Sequence, residues 1–174
     1  GARHRFNDQW SVYGEDNYDM FGKRQSLTQA YGVTYTPDTK WTFGGGLEAG
    51  TVFDLIIDPA TGLENPDFDR QAYSLLATYR DEGGIDGKAK GELRFDDSDD
   101  DSRDVESYLV ALALGIRVSD DWRALGAFDM VLSDATDSTR DGRYAEGSIG
   151  FAYRPAEGDR FNALAKYTYL YDMP

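Results

Sequence analysis

No cysteine occurs in the 174 residues, so disulfide frameworks and thiolate metal sites are excluded. Histidine occurs once, at His4, which leaves no histidine cluster for a metal and a single candidate base for triad chemistry. Proline is scarce, with five residues. No run of 18 apolar residues exists, so no transmembrane helix is expected. Positive charge is also in short supply: 18 Lys and Arg face 32 Asp and Glu, for a net charge of −14. That balance argues against a nucleic-acid partner, which requires clustered cations to neutralise phosphates. Phosphate-binding loops and nucleophile elbows are missing as well. Gly44-Gly45-Gly46 has no helix after it and reads as a place of close packing or strand bending. Many Asp and Glu side chains are present, but nothing in their spacing singles out an acid/base couple, so the chain is expected not to be an enzyme.

What is present is glycine (19 residues), tyrosine (12) and phenylalanine (9), a composition suited to strands. Alternation with period two dominates. It predicts nine strands at about 9–20, 26–36, 41–53, 69–80, 87–96, 105–118, 122–133, 143–154 and 160–172. Most are longer than the ~5–6 residues of an ordinary strand and match the ~9–11 needed to cross a bilayer at a tilt. The mean hydropathy of −0.60 is compatible with this, since such a strand shows only alternate residues to lipid. Connections alternate in length. Short polar turns are read at Pro37–Lys40, Asp81–Asp86, Ser119–Asp121 and Pro155–Asp159. Longer acidic or glycine-containing loops are read at Phe21–Gln25, Asp54–Asp67, Asp97–Asp104 and Asp134–Gly142. A weak repeat accompanies the turns: Trp10, Trp41, Trp122 and Phe161 each open a strand just after a polar turn.

The predicted fold is therefore all-β: an antiparallel up-and-down meander of about 8–10 long strands, forming all or part of a transmembrane β-barrel, with residues 1–174 as one barrel domain or segment. Parity splits each strand into two faces. One is apolar and includes Leu27, Leu47, Leu75, Leu93, Leu112, Leu114 and Phe151. Aromatics gather near its strand ends, and Trp10, Tyr35, Trp41, Tyr79, Trp122, Tyr153 and Phe161 are the expected lipid-interface residues on the short-turn side. The other face is polar, with Glu48, Lys90, Glu92, Arg94, Arg117, Arg123, Asp129 and Lys166 as the expected lumen lining. Mid-strand charges are costly in a dry core and fit a wet lumen. Among the crowded carboxylates, Asp97, Asp99 and Asp101 are candidate ligands for Ca²⁺ or Mg²⁺, although the loop lacks the ordered spacing of a calcium-binding loop. No other cofactor is expected.

The segments Leu27-Thr28-Gln29-Ala30-Tyr31-Gly32-Val33-Thr34-Tyr35-Thr36-Pro37, Gly147 to Pro155 (GSIGFAYRP) and Arg160 to Asp172 (RFNALAKYTYLYD) resemble Gram-negative outer-membrane barrels of the porin-like group. They are also similar to barrel segments at the C-terminal ends of very large bacterial surface proteins. The resemblance implies an outer-membrane location, with lipid as partner and other envelope proteins or further copies as additional partners. It implies a passive pore or a membrane anchor for a surface assembly. Two features depart from the pattern. The count of nine strands is odd, and the last strand ends Tyr171-Asp172-Met173-Pro174, without a terminal aromatic. Both lead to the expectation that further strands or further copies complete the barrel. Two alternatives are a soluble secreted β-sandwich or fibre subunit that binds a partner through its sheet, and a barrel enzyme acting on lipids or peptides.

Overall fold

A computed structural model describes residues 1–136, 141–155 and 161–173. Ten strands form one antiparallel sheet in strict chain order: β1 (Ala2–Arg5), β2 (Trp10–Asp19), β3 (Arg24–Tyr35), β4 (Trp41–Asp54), β5 (Phe68–Arg80), β6 (Ile85–Ser98), β7 (Val105–Arg117), β8 (Trp122–Ala135), β9 (Gly142–Tyr153) and β10 (Ala163–Asp172). The meander is as the alternation predicts, with strand limits shifted by a few residues. The strand number is corrected from nine to ten, because residues 2–5 pair with Ser11–Gly14. Four residues are too short a run for alternation to be recognised in sequence. The sheet is not closed: β1 and β10 are its two edges. It is a single layer, and no second sheet covers either face among the described residues, unlike a sandwich.

The short turns share one local device. Asn7 Oδ1 accepts the backbone N–H of Trp10 at 2.9 Å, Asp38 Oδ1 that of Trp41 at 2.8 Å, and Ser119 Oγ that of Trp122 at 3.2 Å. A short polar side chain three residues before each tryptophan thus satisfies a backbone donor where the chain reverses. This is the physical content of the aromatic-after-turn repeat. The turn read at Pro155–Asp159 and the middle of the Asp134–Gly142 loop lie mostly outside the described residues.

The register carries the two-face partition intact across the sheet. Leu47 pairs Tyr31 and Tyr73; Leu93 pairs Tyr73 and Tyr108; Leu112 pairs Ala89 and Phe128. Asp16 and Gln29, partners near the β1 edge, are polar exceptions on this apolar face. Burial is the reverse of that in a water-soluble core. Every buried residue among those described (Thr28, Val52, Asp54, Ala72, Ser98, Gly115, Gly150) belongs to the polar face. Leu112, Leu114 and Phe151 on the apolar face are 44%, 49% and 52% exposed. A flat single layer would open both faces equally, so the sheet curls toward its polar side.

Gly32 and Gly46 serve that curl. They are register partners, and Tyr13 pairs Gly32 from the other side. The Tyr13 ring lies over Gly32, where a Cβ would come within 2.2 Å of Cε1, and its hydroxyl reaches toward Gly46. The glycine run therefore accommodates a ring packed flat across the polar face, in agreement with the close-packing reading.

Candidate functional site: a polar wall behind an apolar face

The aromatic boundary fixes how the polar wall is oriented. Trp10 stacks on Tyr35 with centroids 4.4 Å apart, Trp41 packs on Tyr79 at 4.8 Å, and Trp122 packs on Tyr153 at 5.0 Å, with Phe161 6.2 Å beyond Tyr153. All seven expected interface aromatics thus gather at the short-turn side, six of them as three cross-strand pairs, a favourable arrangement for large rings on a sheet, with Phe161 just before β10. In the corresponding place on β6 and β7 stands the pair Ile85 and Ile116.

These pairs do not share one register row. Tyr35 pairs Phe43, so Trp41 lies two residues nearer the turns than Trp10. Tyr79 pairs Gly87, so Ile85 lies two residues further on; Ile116 pairs Ala124, so Trp122 lies two further again. The boundary descends two residues for every two strands. With a rise of about 3.3 Å per residue and about 4.8 Å between strands, it is level only if the strands lean by about 35°. Membrane barrels lean by roughly 35–45°. On the loop side, Tyr73 and Tyr108 direct their hydroxyls loopward to Gln71 and Glu106, as Tyr31 does to Gln29. Tyr108 stands eight residues from Ile116 along β7. At that lean the interval spans about 22 Å, close to the ~25 Å apolar band of such barrels.

The eight expected wall residues all fall on the polar face of this register. Lys90, Glu92 and Arg94 are brought together: Glu92 accepts from Lys90 Nζ at 2.6 Å and from Arg94 Nη2 at 2.7 Å. Arg117 and Arg123 are register partners, and Arg123 forms an ion pair with Asp86 across the space left by Gly115. Asp129 pairs Glu146, while Glu48 lies one strand away from Arg94, with Ala72 between them. Lys166 sits apart on β10 at the sheet edge.

Several wall residues escaped sequence reading. Arg70 grips Asp96 with two bonds of 2.7 and 2.8 Å. Asp54 is 2% exposed and pairs with Arg24 at 3.3 Å and Arg103 at 3.5 Å. Asp54 opens a predicted loop, and Asp96 ends a predicted strand. The structure corrects the first: β4 runs to Asp54, while β6 continues past Asp96 to Ser98, and both carboxylates stand on the wall. Two arginines on the same parity were the available signal. Asp97, Asp99 and Asp101 are not gathered with each other, and no group of three acidic side chains is arranged to hold a metal among the described residues. The loop is instead organised by its own bonds: Asp104 Oδ1 accepts from Ser98 N and Oγ, each at 2.8 Å, and Asp100 accepts from Ser102. That hydroxyl holds the Asp100 carboxyl below the usual aspartate range.

No helix among the described residues is long and apolar enough to cross a membrane, which says nothing about crossing by strands. Comparison with family models, with curated proteins and with solved structures returns no match, so geometry alone carries the functional argument.

Proposed function

We propose that this sheet spans a Gram-negative outer membrane as all or part of a β-barrel, and acts without catalysis as a passive pore or as the membrane anchor of a surface assembly. One observation carries the reading: the apolar face is the open one, and its turn-side aromatics come level at the lean expected of a barrel strand. In water an uncovered apolar face of ten strands is an aggregation surface. In a bilayer the same face is satisfied by lipid, and the charged wall faces a wet interior. Closing the sheet pairs the backbone groups along β1 and β10, which lipid leaves unsatisfied. Single-layer architecture supports this over a two-layer secreted sandwich.

The three tryptophans of the chain all stand on the turn-side boundary, so intrinsic fluorescence reports one plane. After refolding into vesicles, lipids brominated near the headgroup should quench this emission more strongly than lipids brominated at the chain end. Emission indifferent to every brominated lipid overturns the membrane assignment. Planar-bilayer current then separates pore from anchor, because an anchor passes none.

A further inference from the structure

We infer that the turn-side half of the polar wall is a binding belt for small oxyanions, such as phosphate or a phosphate-bearing solute; this rests on the membrane reading above and deepens it. Once the 35° lean is applied, the wall charges sort by height. Nearest the aromatic boundary come Arg80, Arg117 and Arg123, on neighbouring rows of β5, β7 and β8. Next come Lys88, Lys90 and Lys166. Most of the carboxylates gather beyond them, at Glu48, Glu92, Asp129 and Glu146, interleaved further toward the loops with Arg94 and Arg70. Two carboxylates of the described strands stand among these basic groups: Asp86, which Arg123 covers, and Glu15, five residues from Trp10 as Lys90 is from Ile85. Without the lean these charges look mixed, because a single register row runs from Lys90 through Asp129 to Glu146.

The arginines also converge physically. Arg80, Arg117 and Arg123 line one cavity of about 760 Å³ at the turn-side end of the wall, together with Arg154. Asp86 and, from the turns, Asp81, Asp120 and Asp121 line it as well. Asp81 is engaged by Lys40 at 2.7 Å. The backbone makes room for this convergence. A Cβ on Gly84 would stand 2.4 Å from Arg117 Cβ, and one on Gly115 would stand 2.6 Å from the Arg123 guanidinium. Guanidinium groups present forked donors that match the oxygens of phosphate, and a desolvating wall strengthens that attraction. Rings of Arg and Lys are the usual means of selecting anions in a water-filled passage. An oxyanion entering past the acidic loops would meet repulsion first and then a basin of positive potential. Residence should therefore be localised in the lower half and not spread along the wall.

The test uses the whole chain refolded in lipid, with inorganic phosphate as probe and phenylglyoxal modification of arginine read by peptide mass spectrometry. Phosphate at about ten times its Kd should slow modification of Arg80 and Arg117 by roughly ten-fold, as mass action requires. Arg143, on the apolar parity at the loop-side end of β9, should react at an unchanged rate. Arg117→Gln should abolish the protection of Arg80. Equal slowing at all arginines, or none at Arg80 and Arg117, overturns the belt. Bilayer current measured on the same samples separates the two proposals. Protection without current leaves the belt standing and removes the pore; current without protection does the opposite.

Discussion

A Cβ on Gly32 would lie 2.2 Å from Cε1 of Tyr13, closer than any real contact allows. Gly32→Ala should therefore displace the ring and destabilise the folded sheet by about 1–3 kcal/mol, the range of overpacking. Urea unfolding in lipid measures this. Tyr13→Ala in the same chain should return most of the loss, since the two changes share one contact. A second residue-scale expectation concerns pH. The Lys40 ammonium, bonded to Asp81 at 2.7 Å, holds the Asp81 carboxyl below the usual aspartate range, and the carboxylate in turn raises Lys40. A lowered folded pKa means that the clip between the β3–β4 and β5–β6 turns is intact above the unfolded aspartate pKa. It is lost as pH falls through the lower folded value. Carbon NMR titration of the Asp81 carboxyl should show this low midpoint, and Lys40→Met should move it up. Both groups are solvent-facing, so the effect belongs to local geometry more than to global stability.

At the scale of the element, the turn caps decide where strands begin. Asn7, Asp38 and Ser119 each hold the N–H of a tryptophan three residues on. Asp38→Ala removes two acceptances, from Lys40 and Trp41, and should destabilise the β3–β4 hairpin by about 0.5–1.5 kcal/mol. Hydrogen exchange at Trp41 should rise while exchange at Leu112 stays unchanged. The long-loop side works differently. Asp54 draws in Arg24 from β3 and Arg103 from the β6–β7 loop, and Asp99 N donates to Asp67 O at 3.0 Å. Two loops distant in sequence are thus fastened at one buried carboxylate. Asp54→Asn should weaken that fastening and speed amide exchange at Asp99, with strand amides of β7 and β8 unaffected.

For the whole molecule the distinguishing expectation is a substitution on the open face. Leu112 lies midway between the two aromatic boundaries and is 44% exposed. In a water-soluble sheet, Leu112→Arg would shift stability by within about 0.5 kcal/mol. In a bilayer it should cost about 2–4 kcal/mol, falling toward zero when the same change is made at the interface. Equilibrium unfolding from vesicles resolves the difference, and a neutral Leu112→Arg would return the sheet to water. The same scale explains the charge layout. A net charge of −14 describes the whole chain but not the turn-side half of its wall, where Arg and Lys outnumber the carboxylates.

Alternation determined nine of the ten strands and the residues on each face, because a side chain's face depends only on parity along its own strand; the short turns between strands set their antiparallel order. The turn caps were half legible: the tryptophans stood out, but their acceptors require coordinates. β1 was hidden because four residues cannot show a period. Three things were decided by the tertiary structure. Which face is open depends on curvature, which arises from all strands together. Asp54 joins the wall because pairing extends β4 into a segment rich in aspartate. The step of the aromatic boundary, and with it the lean and the sorting of wall charge, is a relation between registers of neighbouring strands, which no single strand contains.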